Sequence, residues 1–360
     1  RKRQMKIYLD NNSSTPLAPE IVHALRHFKP EKSLVQDAQK SVAELIGARN
    51  EEEIIFTRSG SQSNLLAFLT AIKFAPQKKH IVASSIEHVS STRILQRLSQ
   101  TGYEITFIEV DKDGLPDMCK LKNSIRKDTL IVSFTAANGD LGILTPFEKI
   151  CQVVKGASEA FFHVDGAMIV GKLPLNIKHT NIDFFTISGR KIHAPRGIGA
   201  LYVRKQYLPF FQKSRKIPPQ KIFALGYAAN LSNDQDSMMK IKRLRDKLER
   251  QILTRIPSAK TLFANASNKL PNTLLISFPN MNGEVILSAL ADKNIIAATL
   301  SVCNSQSHKL SSQLMSMNLH YSQIMGALRF SLSRYNTEQE IDITSQWLAH
   351  FLRKFTHVCP

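Results

Sequence analysis

The stretch "SGRKIHAPRGIGALYV", Ser188 to Val203, holds a lysine between glycine turns. Before it, "IDFFTI" (Ile182 to Ile187) is a short apolar run that reads as a buried strand, and after it "GIGALYV" reads as another. Gly189, Pro195, Gly197 and Gly199 punctuate the connection. Lys191 is therefore expected at the end of a strand, fixed beside a sheet.

Working outward, the same alternation continues. "EIIFT", "HIVASS", "EITFIEV", "TLIVSFTAA" and "FFHVD" read as strands, and "SNLLAFLTAIKF", "STRILQRLSQTG", "MCKLKNSIR" and "PFEKICQVVKGA" read as helices between them. This pattern predicts an α/β fold with a mostly parallel sheet covered by helices on both faces. The alternation stops near "KIPPQKIFALGYAAN". Beyond it, "SMMKIKRLRDKLERQILTRI" places Met238, Ile241, Leu244, Leu248, Ile252 and Ile256 on one helical face. The expected organisation is a large domain over residues 15–230 and a smaller α+β C-terminal domain over 231–360, joined by an N-terminal segment, 1–14.

A chain of 360 residues with 43% hydrophobic and 21% charged residues has the composition of a soluble globular protein. No apolar run reaches the roughly 18 residues of a membrane span, and the basic start "RKRQMKIYLD" lacks the apolar core of a secretory signal. Cys119, Cys151, Cys303 and Cys359 show no C-x-x-C spacing, so neither a zinc site nor a disulfide framework is suggested. A cytoplasmic location is expected, or an organelle matrix if a transit segment was removed. The net charge of +19 would attract RNA, DNA or an acidic protein over a Debye length. No nucleic-acid motif accompanies it, and a solvated basic surface is the plainer reading.

Ligands of open α/β sheets sit at the carboxyl ends of the strands. There "EIIFT" runs into "RSGSQSN", whose hydroxyls and backbone N–H groups at a helix N-terminus suit a phosphate. Asp165 ends the apolar strand "FFHVD", where a carboxylate needs a cationic partner or donors. A phosphate cradle, an acid for a ring nitrogen and a lysine for an aldehyde together point to pyridoxal 5′-phosphate. His88, in "SSIEHVSS", would stack on a cofactor ring and move protons near neutral pH. Cys303, in the small polar stretch "ATLSVCNSQS", suits a loop bearing a working thiol.

Over nearly its whole length the chain resembles the cysteine desulfurases, pyridoxal-phosphate enzymes of the class V aminotransferase group. The resemblance is carried by "IYLDNNSSTPLAPEI", "IEHVS", "GILTPFEKI", "FHVDGAMIVGKLPLNI", "SGRKIHAPRGIGALYV" and "LRFSLSRYNTEQEID". It implies the fold type I architecture of pyridoxal-phosphate transferases and a homodimer. Lys191 would form the Schiff base and move the substrate Cα proton. Asp165 would keep the pyridine nitrogen protonated, and His88 would stack on the ring. Gly60, Ser61 and Ser188 would hold the phosphate, with Arg190 beside it. Arg329 would clamp the substrate carboxylate. Cys303 would take the sulfur of L-cysteine as a persulfide, leaving L-alanine, and pass it to an acceptor or scaffold protein for iron–sulfur cluster or thiocofactor assembly.

The chain departs from the family pattern at several places. Arg190 stands where a histidine is usual, and a cation there would tend to lower the pKa of Lys191. Met168 replaces a glutamine and Gly139 an asparagine, both contacts of the cofactor in the family. The cradle reads "RSGSQSN" in place of "SGATESN", and "KSRKIPPQKIFALGYAAN" replaces a glycine-rich loop and its arginine–serine–glycine–threonine motif. Three readings follow: a desulfurase, a related enzyme acting on selenocysteine or cysteine sulfinate, and a weakened scaffold or regulator binding an acidic partner or RNA.

Overall fold

The apolar runs form strands that are buried on both faces. The computed structural model describes residues 5–211, 216–300, 317 and 319–356. The chain divides into two compact units, one of residues 15–139 and 144–234, the other of 1–14, 140–143 and 235–360.

In the larger unit, β1 (Ile54–Thr57), β2 (His80–Ser84), β3 (Glu104–Ile108), β4 (Thr129–Thr135), β5 (Phe161–Asp165), β6 (Phe184–Ser188) and β7 (Gly199–Val203) build one sheet. Their order is β1-β7-β6-β5-β4-β2-β3. The run from β6 to β3 is parallel, and β7 runs against both its neighbours. Every residue of β2 and of β4 to β7 is buried. That explains why these strands read as continuous apolar runs, whereas edge strand β3 is mostly open to solvent.

The helices of this unit are α1 (Pro19–Arg26), α2 (Leu34–Ile46), α3 (Gly60–Phe74), α4 (Val89–Ser99), α5 (Met118–Ser124), α6 (Phe147–Ala157) and α7 (Pro219–Ser232). The stretch where the strand–helix alternation stops forms α7, which starts on Pro219. It packs closely on α2: a Cβ on Gly226 would stand 2.8 Å from the Ala38 Cα.

Topology places the site. From β2 the chain runs outward through α4 to the edge strand, while from β4 it runs the other way through α6 to β5. Such a reversal leaves a crevice outside the carboxyl ends of β2 and β4. The parallel register aligns Thr135, Asp165 and Thr186 across β4, β5 and β6 at that edge.

The smaller unit carries a four-stranded antiparallel sheet of Lys260–Thr261, Thr273–Ser277, Ala327–Ser331 and Ala298–Thr299. Helix α8 (Gln235–Arg255) supplies Ile241, Leu244, Leu248 and Ile252 to a core that includes Phe278, Phe330 and Leu348. Ile256 joins them and Met238, at the end of the predicted stripe, is half-buried. Among the described residues, no helix is long and apolar enough to cross a membrane.

The N-terminus of α3 seats against the sheet with no space to spare. A Cβ on Gly199 would lie 2.7 Å from the Ile187 carbonyl oxygen and 2.9 Å from the Ser59 carbonyl carbon, and one on Gly60 would lie 3.0 Å from the Ser188 Cβ. The Ser63 hydroxyl ties the helix down by donating to the Ala200 carbonyl at 2.9 Å. Gly199→Ala is expected to cost about 1–3 kcal/mol of stability, because backbone atoms must move to admit the methyl group. Urea denaturation of the variant measures this, and an unchanged midpoint would show that the seat is loose.

Candidate active site

Asp165, the last residue of β5, is 4% exposed. One oxygen accepts from Asn64 Nδ2 at 2.7 Å and the other from the Ala167 N–H at 3.1 Å. Both donors are neutral, and among the described residues no cation pairs with this carboxylate. A buried carboxylate held only by neutral donors favours the arrival of a positive group. A protonated ring nitrogen is such a group, so the donor set fits the pyridine end of pyridoxal phosphate.

Asn64 is a residue the sequence reading passed over. It is fully buried on α3, and its Nδ2 also approaches the Ser90 and Ser91 hydroxyls at 3.1 and 3.2 Å. Thus one side chain links α3, α4 and β5 at the carboxylate.

Glu87 is the second missed residue. Its Oε1 accepts from the Thr135 N–H at 2.6 Å. Its Oε2 is buried with no hydrogen-bonded partner among the described residues. Burial first, and then the charge of Asp165, push its carboxyl up to about 8, against opposition from the Thr135 N–H and the Ser91 hydroxyl. Near neutral pH, Glu87 is therefore a neutral acid next to the Asp165 anion.

His88 follows in the chain and caps α4: its Nδ1 accepts from the Ser90 N–H at 3.1 Å. A neutral ring accepting at Nδ1 carries its proton on Nε2.

The N-terminus of α3 has the groups that suit a phosphate. Ser59 is the N-cap and accepts from the Gln62 N–H at 3.1 Å, so Gly60 and Ser61 begin the helix with backbone N–H groups that have no helical acceptor. Ser188, buried at the end of β6, lies against Gly60. Arg190 and Ser61 are exposed. The sequence reading missed Ser59 as the capping residue.

Lys191 ends a single 3₁₀ turn, Gly189–Lys191, directly after β6. Residues 15–18 clamp that turn. The Thr15 N–H and hydroxyl donate to the Arg190 carbonyl at 2.9 and 3.0 Å, the His193 N–H donates to the Thr15 hydroxyl at 2.8 Å, and the Ala18 N–H donates to the His193 carbonyl at 3.0 Å. His193 takes a left-handed backbone, φ 65°, to close it. The lysine is thereby fixed at the same edge of the sheet as Asp165.

Met168 and Gly139 form one packing unit. The Met168 sulfur would stand 3.1 Å from a Cβ on Gly139, and its methyl carbon 3.2 Å. The long apolar chain fills the room left by the missing one, so these two departures from the family pattern are coupled. The thioether has no N–H or O–H to donate.

The smaller unit holds Arg329, 4% exposed, on the strand Ala327–Ser331. Its guanidinium donates to Asp140, to Asp10 at 2.8 Å and to the Ser13 hydroxyl at 2.8 Å. Cys303 lies outside the described residues.

The raised Glu87 carboxyl gives a signed prediction. Kept neutral, it stabilises the fold fully below about pH 4.5, its ordinary value, and that contribution is lost as the pH rises to about 8. The stability difference between wild type and Glu87→Gln should fall over this window, by up to about 1.4 kcal/mol per pH unit, and be level above it. Urea denaturation at a series of pH values checks it; a difference flat across the window would contradict a buried neutral acid.

The family model described as aminotransferase class-V matches residues 7–216 and 217–343. Cysteine desulfurase 2 of Trichormus variabilis is 36% identical over 382 residues, covering 98% of this chain and 95% of that protein. Cysteine desulfurase NifS of Azotobacter vinelandii is 32% identical over 381 residues, covering 98% and 94%. A solved NifS-like protein superposes with a TM-score of 0.86 at 25% identity, covering 97% of this chain and 100% of that one. The chain belongs to the aminotransferase class-V family, within its cysteine desulfurase group.

Proposed function

We propose that this protein is a pyridoxal-phosphate-dependent cysteine desulfurase, converting L-cysteine to L-alanine and holding the sulfur as a persulfide on Cys303. The observation that carries this reading is Asp165: a buried carboxylate with neutral donors alone, on the sheet edge that also holds Lys191 and the N-terminus of α3. When bound, the cofactor supplies an aldehyde for an amine and a protonated ring that draws electrons from the substrate.

The chain's own residues do the rest. Asp165 accepts from the ring N–H and keeps it protonated. Gly60 and Ser61 donate backbone N–H groups to the phosphate, with the Ser188 hydroxyl and the Arg190 guanidinium beside them. Lys191 binds the aldehyde and moves the proton at the substrate Cα. His88 would stack on the ring and, with Nδ1 accepting from the Ser90 N–H, would offer Nε2 for proton transfer. Arg329 takes the substrate carboxylate in a bidentate pair, in place of its single bonds to Asp10 and Asp140. Cys303, as a thiolate, takes the substrate sulfur; a carbon–sulfur bond breaks, a sulfur–sulfur bond forms, and the carbon skeleton gains a proton to leave as alanine. An acceptor protein then removes the sulfur for iron–sulfur cluster or thiocofactor assembly. The working unit is a homodimer in a reducing compartment, cytoplasm or organelle matrix, where a persulfide survives.

The test is alanine formation from L-cysteine by protein supplied with pyridoxal phosphate and a thiol reductant. Wild type should produce alanine and gain one sulfur on the peptide bearing Cys303, while Cys303→Ala and Lys191→Ala should fall to background. Alanine production that survives Cys303→Ala would remove the persulfide role, and a wild type that takes up the cofactor yet yields no alanine would sink the desulfurase assignment.

A further inference from the structure

Thr15 is buried, takes no part in the chemistry above, and grips the Lys191 turn from both sides. Its N–H and its hydroxyl both donate to the Arg190 carbonyl, at 2.9 and 3.0 Å, so the peptide that enters Lys191 is held twice. The same hydroxyl accepts from the His193 N–H at 2.8 Å, just past the lysine. A hydroxyl has one proton to give and lone pairs to receive, and both capacities are used here on the two flanks of one lysine.

The exit of the turn is strained and tied at several points. His193 is buried with φ 65°, a left-handed backbone that a non-glycine residue keeps only where its neighbours enforce it. Residues 15–18 do so. Besides the bond from its N–H to Thr15, the His193 carbonyl accepts from the Ala18 N–H at 3.0 Å, and its ring Nδ1 donates to the Pro16 carbonyl at 2.9 Å. The holder is itself preset, because Thr15 precedes Pro16 and a residue before proline is confined to extended backbone. Within the turn, the Ile192 and Ala194 N–H groups both close on the Gly189 carbonyl at 3.0 Å. A single 3₁₀ turn has poor hydrogen-bond geometry and does not hold its shape alone. Strain kept in place beside a reactive side chain points to a function for whatever keeps it.

We propose that Thr15 is a positioning residue for Lys191: its hydroxyl fixes the direction in which the lysine leaves the backbone, and through that the place of the amine. The amine stands at the end of a four-carbon stem, so a small tilt at Cα moves it by about 1 Å, and a misplacement of that size costs about a hundredfold in rate. The grip stands on the geometry of this chain; its use in delivering the amine to an aldehyde rests on the function proposed above.

Thr15→Val keeps the shape and removes the hydroxyl, while Thr15→Ser keeps the hydroxyl. The full chain, freed of cofactor, is mixed with pyridoxal phosphate and quenched with borohydride at intervals. The amine condenses with the aldehyde and loses water, borohydride adds hydride across the new carbon–nitrogen double bond, and peptide mapping counts the label on Lys191. Thr15→Val should label Lys191 between about ten- and a hundredfold more slowly, and Thr15→Ser should return to within about threefold of wild type. Labelling of the exposed Lys112 should not change, which separates aim from a general loss of structure. Equal Lys191 labelling in wild type and a folded Thr15→Val protein would overturn the proposal, as would a serine variant as slow as the valine one. Should Thr15→Val not fold, hydrogen exchange of the wild type decides: the His193 and Ala194 amides should be protected, and exchange at the rate of an open loop would overturn the grip. A wild type that captures the cofactor on Lys191, with the expected loss in Thr15→Val, yet forms no alanine from L-cysteine would leave the positioning role standing and overturn the desulfurase reading instead.

Discussion

A carboxylate sealed at the end of an apolar strand costs several kcal/mol unless something compensates it, and at Asp165 the protein compensates only in part. Asn64 and the Ala167 N–H supply hydrogen bonds, and Glu87 beside it stays neutral and adds no second anion near pH 7. The rest of the larger unit is arranged around this deficit. Gly199 and Gly60 let α3 sit hard against the sheet, and that seat carries Asn64 to the carboxylate while aiming the helix N-terminus at the same edge. The Lys191 turn is pinned there by the segment from Thr15 to Ala18. Among the described residues no cation pairs with Asp165 itself, and a protonated ring nitrogen would fill that place.

The departures from the family pattern look different once the packing is known. Met168 and Gly139 are one exchange of volume, a long apolar chain leaning into the space of an absent one, which is how a maintained interior behaves. The Met168 backbone also serves the buried Lys172 through its carbonyl. The wall that lost polar side chains therefore still meets a buried polar group, through its main chain.

Much of the fold was legible in the sequence because strands buried on both faces leave continuous apolar runs. The ends of those runs pointed directly to Asp165 and Lys191. Helix α7 was harder to read, since buried residues such as Ala224, Leu225, Ala228 and Ala229 crowd its middle and blur any single apolar stripe. Asn64 resembled any polar residue early in a helix, because its partner is 101 residues away. Glu87 was hidden by its neighbour His88, and its burial depends on a backbone N–H from β4. Lys172, in "VGKLPL", has the look of a surface lysine; it is its burial and its bond to the Met168 carbonyl that show it inside. In each case the signal lay in long-range packing, which spacing along the chain does not encode.

The most direct test of this account is the protonation state of the ring nitrogen that we propose Asp165 meets. Protein loaded with pyridoxal phosphate carrying nitrogen-15 in the ring, read by nuclear magnetic resonance at neutral pH, should show that nitrogen protonated in wild type and unprotonated in Asp165→Asn. An unprotonated nitrogen in the wild-type protein would contradict the claim that the buried carboxylate exists to receive a cation.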